Sequence, residues 1–89
     1  MANKWWTNKK FRLVAVEWVD SARPSTAWQW IDELDWHDAA RCVSVGFLVS
    51  ESKTVIHIAA NVGDLEFSRS QACGVITIPK VAIVRMVDL

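Results

Sequence analysis

The sequence predicts a mainly β fold: a five-stranded antiparallel small barrel with one short helical insert after the first strand. Three observations lead there. Of the 89 residues, 52% are hydrophobic and 22% charged, a balance that supports a dense core and lies far from that of a disordered chain. Runs rich in β-branched and aromatic residues recur at short intervals, over 11–20, 42–49, 54–60, 72–78 and 83–89, and such residues suit a pleated sheet. Clusters of Ser, Asn, Asp, Gly and Pro separate them, as turns require. A chain of this length builds one domain around one core. Closing its sheet into a barrel removes the exposed edges that five strands otherwise present.

The elements follow in order. Residues 1–10 form a basic arm that contains Trp5 and Trp6, and residues 11–89 form the domain. The first strand covers 11–20, and a turn cluster over 21–26, with Pro24, ends it. Thr26-x-x-Gln29 has the spacing of a capping box, in which two side chains satisfy the first free amides of a helix. Trp28, Ile31 and Leu34 then recur on one helical face, so the insert over about 27–36 reads as a helix of about two turns. Asp32, Glu33 and Asp35 sit late in it, where the helix dipole disfavours acids, which keeps the helix short. The second strand covers 42–49, with Gly46 marking a bend, a bulge or a close backbone approach. A polar turn over 50–53 joins it in a hairpin to the third strand, 54–60. Residues 61–71 are the longest polar connection, and 72–78 form the fourth strand. Pro79 stops that strand for lack of an amide hydrogen. Residues 80–82 turn tightly into the last strand, 83–89.

Charge and cysteine usage exclude several functions. Ten basic and ten acidic residues cancel, so the molecule lacks the overall positive field with which most nucleic-acid binders gather phosphate. Neutrality hides two local fields. The arm carries Lys4, Lys9 and Lys10 with Arg12 just beyond, whereas Glu17, Asp20, Asp32, Glu33, Asp35 and Asp38 face only Arg23 between 17 and 38. These fields can attract each other within one chain or between copies. The apolar stretch after the arm is interrupted by Arg12 and Glu17, unlike a secretory leader, and no apolar run reaches the length of a membrane-spanning helix. Cys42 and Cys73 stand outside any Cys-x-x-Cys spacing, so free thiols in a reducing cytosol are expected, with a cross-strand disulfide left open.

Candidate site residues divide into three groups. Six tryptophans in 89 residues is several times the ordinary share of a side chain that is costly to expose. Trp18 belongs in the core, but one helix face cannot bury Trp28, Trp30 and Trp36 together. They either plug the open end of the barrel or present rings to a base or to a partner's side chain. Trp5 and Trp6, interleaved with Lys9, Lys10 and Arg12, have the makeup of an arm that stacks on single-stranded nucleic acid, but a terminal arm more often stays disordered or docks in an oligomer. Ser68-Arg69-Ser70-Gln71 offers donors for a phosphate or carboxylate, which Lys80 and Arg85 join if the barrel end gathers them. No Gly-rich phosphate cradle accompanies them. His37 adjoins Asp38, and His57 lies in a strand between Ile56 and Ile58, but neither histidine has metal-ligand spacing to a cysteine or a linked nucleophile. The expectation is a protein without catalytic residues, metal or cofactor.

Val16-Glu-Trp18-Val-Asp-Ser21, Trp30-Ile-Asp-Glu-Leu34, Cys42-Val-Ser-Val-Gly-Phe-Leu48, Cys73-Gly-Val-Ile-Thr-Ile-Pro-Lys80 and Ile83-Val-Arg85 resemble a group of small tailed-bacteriophage and prophage proteins over roughly residues 13–89. The ending Ile-x-Ile-Pro-Lys-x-x-Ile-x-x-Met also resembles the strand, one-turn helix and final strand of SH3-like and Sm-like barrels. The resemblance implies a phage origin and action in the bacterial cytoplasm, and it brings no catalytic motif. The expected function is therefore non-enzymatic binding of a host component. Two forms fit: sequestering a small nucleotide signal through Trp28, Trp30, Arg69 and Lys80, or occupying a host defence or replication protein through Trp30 and Trp36. A third reading is an Sm-like single-stranded nucleic-acid binder working through the arm. So much apolar surface on a small domain also favours a homo-oligomer, a dimer or a ring.

Overall fold

A computed structural model describes residues 3–22 and 26–89. Pro24, expected to end the first strand, lies outside them, as do residues 1 and 2 of the arm. The chain forms one five-stranded sheet from β1 (Arg12–Asp20), β2 (Ala40–Glu51), β3 (Val55–Gly63), β4 (Gln71–Pro79) and β5 (Ile83–Asp88). Their order across the sheet is β4-β3-β2-β1-β5, and every neighbouring pair is antiparallel.

Alternation along β1 decides which face is inside. Val14 and Val16 are fully buried, together with Ile56 and Ile58 of β3 and Ile78 of β4, and Trp18, Leu48, Ile83 and Met86 pack around them. Val16 stands opposite Met86 of β5, so β5 supplies the same inner face as β1. A flat sheet would hold β1 and β4 three strand spacings apart, about 14 Å, too far for Val14 and Ile78 to share one cluster. The sheet therefore curls.

Gly46 makes the curl possible. A Cβ built on it would lie 2.8 Å from the carbonyl oxygen of Ala59 and 3.4 Å from Ile58 Cβ, so of the three possibilities for this glycine the close backbone approach is the one found. Beyond that point the ladders part. β2 pairs with β3 from Phe47 onward, while β2 from Ala40 to Gly46 pairs with β1, and β3 from Ala60 to Gly63 is left to β4.

The turn Lys80–Ala82, one turn of 3₁₀ helix, links the two edge strands in three residues. It follows that Pro79 of β4 and Ile83 of β5 lie close at that end. β4 and β5 do not pair with each other, so the sheet is not closed into a barrel. β4 consequently stays exposed from Gln71 to Thr77, and only Ile78, next to the turn, is buried.

The insert differs from the expected helix. Only Ile31–Glu33 is helical, as a single 3₁₀ turn, and Trp30 at its N-cap makes no side-chain capping bond. Isolated helices of this length are marginal without a surface to pack on, and Trp28, Trp30 and Ile31 are all exposed. Asp32 and Glu33 occupy a first turn too short to gain from them.

Side-chain bonds fasten the ends of the sheet. On its outer face the Glu17 carboxylate of β1 accepts from Arg41 Nε of β2 and Arg85 Nε of β5, each at 2.6 Å. The two guanidiniums, Arg41 foremost, hold the Glu17 carboxyl below the usual carboxylate range. Arg12 pairs with Asp88 of β5 at 2.5 Å, and the Leu89 amide donates to the Leu13 carbonyl at 2.9 Å.

Candidate functional site

The segment from Thr26 to Ala39, between β1 and β2, runs outside the sheet and is exposed except for Leu34. Trp28 is 104% exposed, Trp30 77% and Trp36 76%. Trp28, Gln29 and Trp30 line an open cavity of about 300 Å³, which the alternation of this extended stretch creates by spacing two rings one residue apart. Asp32, Glu33, Asp35 and Asp38 share the segment. His37 Nε2 lies 3.8 Å from Asp35 Oδ2, with both groups exposed, a long contact between solvated side chains. Trp18, by contrast, is half-buried against the core and donates Nε1–H to Ser44 Oγ at 3.0 Å.

The cations singled out from the sequence are spread out. Arg69 lies in the connection before β4 and Lys80 just after it. The nine residues of β4 lie between them, so the two stand at opposite ends of that strand. Lys80 Nζ is 2.7 Å from Glu51 Oε2, and this contact lowers the Glu51 carboxyl below its usual range. Arg85 is held by Glu17. The structure thus brings Trp28 and Trp30 together and leaves Arg69 and Lys80 apart.

The arm docks at its base. Asn8 Oδ1 accepts from the amides of Lys10 and Phe11 at 3.0 and 2.8 Å, which turns the chain into β1. Lys10 Nζ donates to the Phe67 carbonyl and, at 2.9 Å, to Ser70 Oγ, tying the arm to the connection over 64–70. That connection is organised by Asp64, whose φ of 56° is tolerated by an aspartate better than by most residues. Its carbonyl accepts from the Phe67 amide at 3.1 Å and its carboxylate from Gln71 Nε2 at 2.6 Å. Farther out, Trp5 and Trp6 meet edge to face, with centroids 5.8 Å apart and planes at 87°. Trp5 is exposed and Trp6 half-buried, while Lys4 and Lys9 are exposed.

Sequence reasoning missed a second exposed apolar surface. Val43 and Val45 of β2, Val75 of β4, and Val84 and Val87 of β5 are all exposed, as are Phe67 and Val81. Ser44, Val45, Ile58, Ala59, Ala60, Gly74 and Ile76 line a cleft of about 210 Å³ where β2 and β3 part. An uninterrupted apolar strand such as β4 reads as doubly buried. Only its position at the edge exposes it, and position depends on partners remote in sequence. Cys42 and Cys73 are free thiols, Cys42 in β2 and Cys73 in β4, where Cys73 faces Asn61 of β3.

Among the described residues no helix is long and apolar enough to cross a membrane, and no group of three His, Cys, Asp or Glu side chains is placed to hold a metal ion. Comparison of the chain with protein-family models, with curated proteins and with solved structures finds no match, so the reading of the site rests on its own residues.

Proposed function

We propose that this chain is a non-enzymatic binding protein of phage origin, acting in the bacterial cytoplasm, whose Trp-rich acidic segment occupies a protein of the host. The observation that carries the reading is the exposure of Trp28, Trp30 and Trp36 in one stretch. Large rings held in water give up substantial free energy until a partner covers them, and tryptophan is enriched at interaction hot spots. Asp32, Glu33, Asp35 and Asp38 give the partner a second property: a basic rim around an apolar groove.

The expected short helix belongs to the bound state. On such a groove, Trp28, Ile31 and Leu34 form one helical face wound outward from the Ile31–Glu33 turn, while Trp30 and Trp36 pack against the groove's walls. Host protein is preferred over a sequestered nucleotide because Arg69 and Lys80 do not converge on the indoles. The nucleic-acid reading keeps Trp5, Trp6, Lys4 and Lys9, while Lys10 and Arg12 are engaged within the chain.

Affinity capture from host lysate is the test, run with the parent protein and with Trp28→Ala, Trp30→Ala and Trp36→Ala. Each variant should melt like the parent, since exposed substitutions shift stability by about 0.5 kcal/mol or less, and each should lose the same captured protein. Capture that survives all three substitutions sinks the proposal. A large thermal shift with a nucleotide would establish sequestration instead, because a ligand bound only by the folded state stabilises it. Binding of short oligonucleotides that weakens steeply with salt would establish the nucleic-acid reading.

A further inference from the structure

The unguarded edge of the sheet carries an inference separate from the Trp-rich segment. Edge strands present a row of unpaired backbone groups, and proteins protect them with charges, interior proline, bulges, shortness or a covering element. β4 has only one such feature, an irregularity at Gly74, whose φ is 69° and where the pairing with β3 skips a position. Its nine residues, Gln71-Ala-Cys-Gly-Val-Ile-Thr-Ile-Pro79, include no charge, and its one proline stands at the last position. It is exposed from Gln71 to Thr77, including Val75 on the outer row and Ile76 on the inner one. The opposite edge, β5, is shorter at six residues and carries Arg85 and Asp88.

The total surface shows that something is left to cover. The chain exposes 7443 Å², against about 5,300 Å² for a compact monomer of its mass. Its radius of gyration is 17.6 Å, against about 12 Å for a compact chain of its length. The excess is about 2,100 Å², to which the exposed arm, the Trp-rich segment and the open side of the sheet all contribute, and it exceeds the roughly 800 Å² per partner of a stable interface.

We propose that β4 pairs antiparallel with β4 of a second copy, joining the two five-stranded sheets edge to edge about a two-fold axis. Self-pairing meets no like-charge opposition, because neither strand carries charge, and a nine-residue edge finds an equal length only in another β4. Side chains directly opposite in such a pair stand about 4.5–5.5 Å apart at Cβ and pack as apolar cross-strand pairs. An isologous contact also closes on itself, leaving no free copy of the same edge to continue into a fibre.

A two-fold axis through an antiparallel pair sets one residue of β4 against its own copy, which makes the geometry readable by crosslinking. Single-cysteine chains, all carrying Cys42→Ser, would hold Cys73 itself or, with Cys73→Ser added, Val75→Cys or Thr77→Cys. Under mild oxidation either one of these positions with itself, or one mixture of two of these chains (Cys73 with Val75→Cys, or Val75→Cys with Thr77→Cys, when Gly74 or Ile76 lies on the axis), should form a covalent dimer at least tenfold faster than the other combinations. Light scattering of the parent should give twice the monomer mass. Val75→Lys with Thr77→Lys, at two exposed positions, should return the monomer mass with cooperative melting retained. A parent that stays monomeric up to 100 μM overturns the proposal. So does a larger assembly in which no β4 cysteine crosslinks to β4 of another copy, in like or mixed pairs, which would mean that β4 meets a different edge.

Discussion

Gly46→Ala tests whether the curl of the sheet depends on the backbone contact described above. The new Cβ would sit 2.8 Å from the Ala59 carbonyl oxygen and 3.3 Å from its carbonyl carbon. Carbon and oxygen in adjacent strands ordinarily approach to about 3.3–3.6 Å, so β2 and β3 must separate by about half an ångström or more. The obstructing atoms are backbone, and no rotamer change relieves them. Overpacking of this kind costs about 1–3 kcal/mol, and a domain of this size loses roughly 4–8 °C in Tm per kcal/mol. The expected fall is therefore about 4–24 °C. Gly63→Ala is the matched control, because its Cβ meets nothing within 4 Å. It should leave stability unchanged or raise it by up to about 1 kcal/mol by restricting the unfolded chain. Thermal melts followed by circular dichroism at one fixed protein concentration read both. If Gly46→Ala melts within a degree of the parent, the close approach of the strands does not exist in solution and the account of the curl fails.

Two further outcomes follow from the packing and the charges. Ile78→Ala removes a fully buried side chain of the core and should cost about 2–5 kcal/mol in urea unfolding, while Ile76→Ala, in the same strand but exposed, should cost far less. Glu17 titrates below its ordinary value of 4.5 in the folded chain, so its contribution to stability is complete above that pH and lost as pH falls through the lowered folded value. The acid limb of a stability profile should flatten in Glu17→Gln, and an unchanged limb would show that the bonds from Arg41 and Arg85 are not held in solution.

Strands were legible in the sequence because their signal is local. The runs over 11–20 and 72–78 fall within a residue of β1 and β4, since β-branched composition and flanking turn residues act over the same short range. Pro79 and the 80–82 turn were readable for the same reason. The helix expected over about 27–36 does not form: Trp28, Ile31 and Leu34 have helical spacing, but spacing stabilises a helix only when something packs on that face, and in this chain Trp28 and Ile31 are exposed. Closure does not occur either. Five strands can close only if the first and last in the sheet meet, and no short-range pattern reports whether β4 reaches β5. Among the site residues, the excess of tryptophans leaves Trp28, Trp30 and Trp36 between plugging the barrel and facing solvent, and their exposure depends on what lies beneath them, which spacing does not report. The separation of Arg69 from Lys80 depends on the nine residues of β4 lying between them, a span that no local pattern fixes.

The Glu17 bridge and the Arg12–Asp88 pair join β1 to β5, so the first strand is completed by the last. Contacts of such long range are slow to find and carry a large loop-closure cost. During synthesis, Val14 and Val16 would have β2 beside them long before residues 83–88 emerge from the ribosome. A half-built sheet with one apolar flank open is prone to adhere to its neighbours. Crowded expression should therefore penalise this chain more than its final stability suggests, and slowing translation should do little to help.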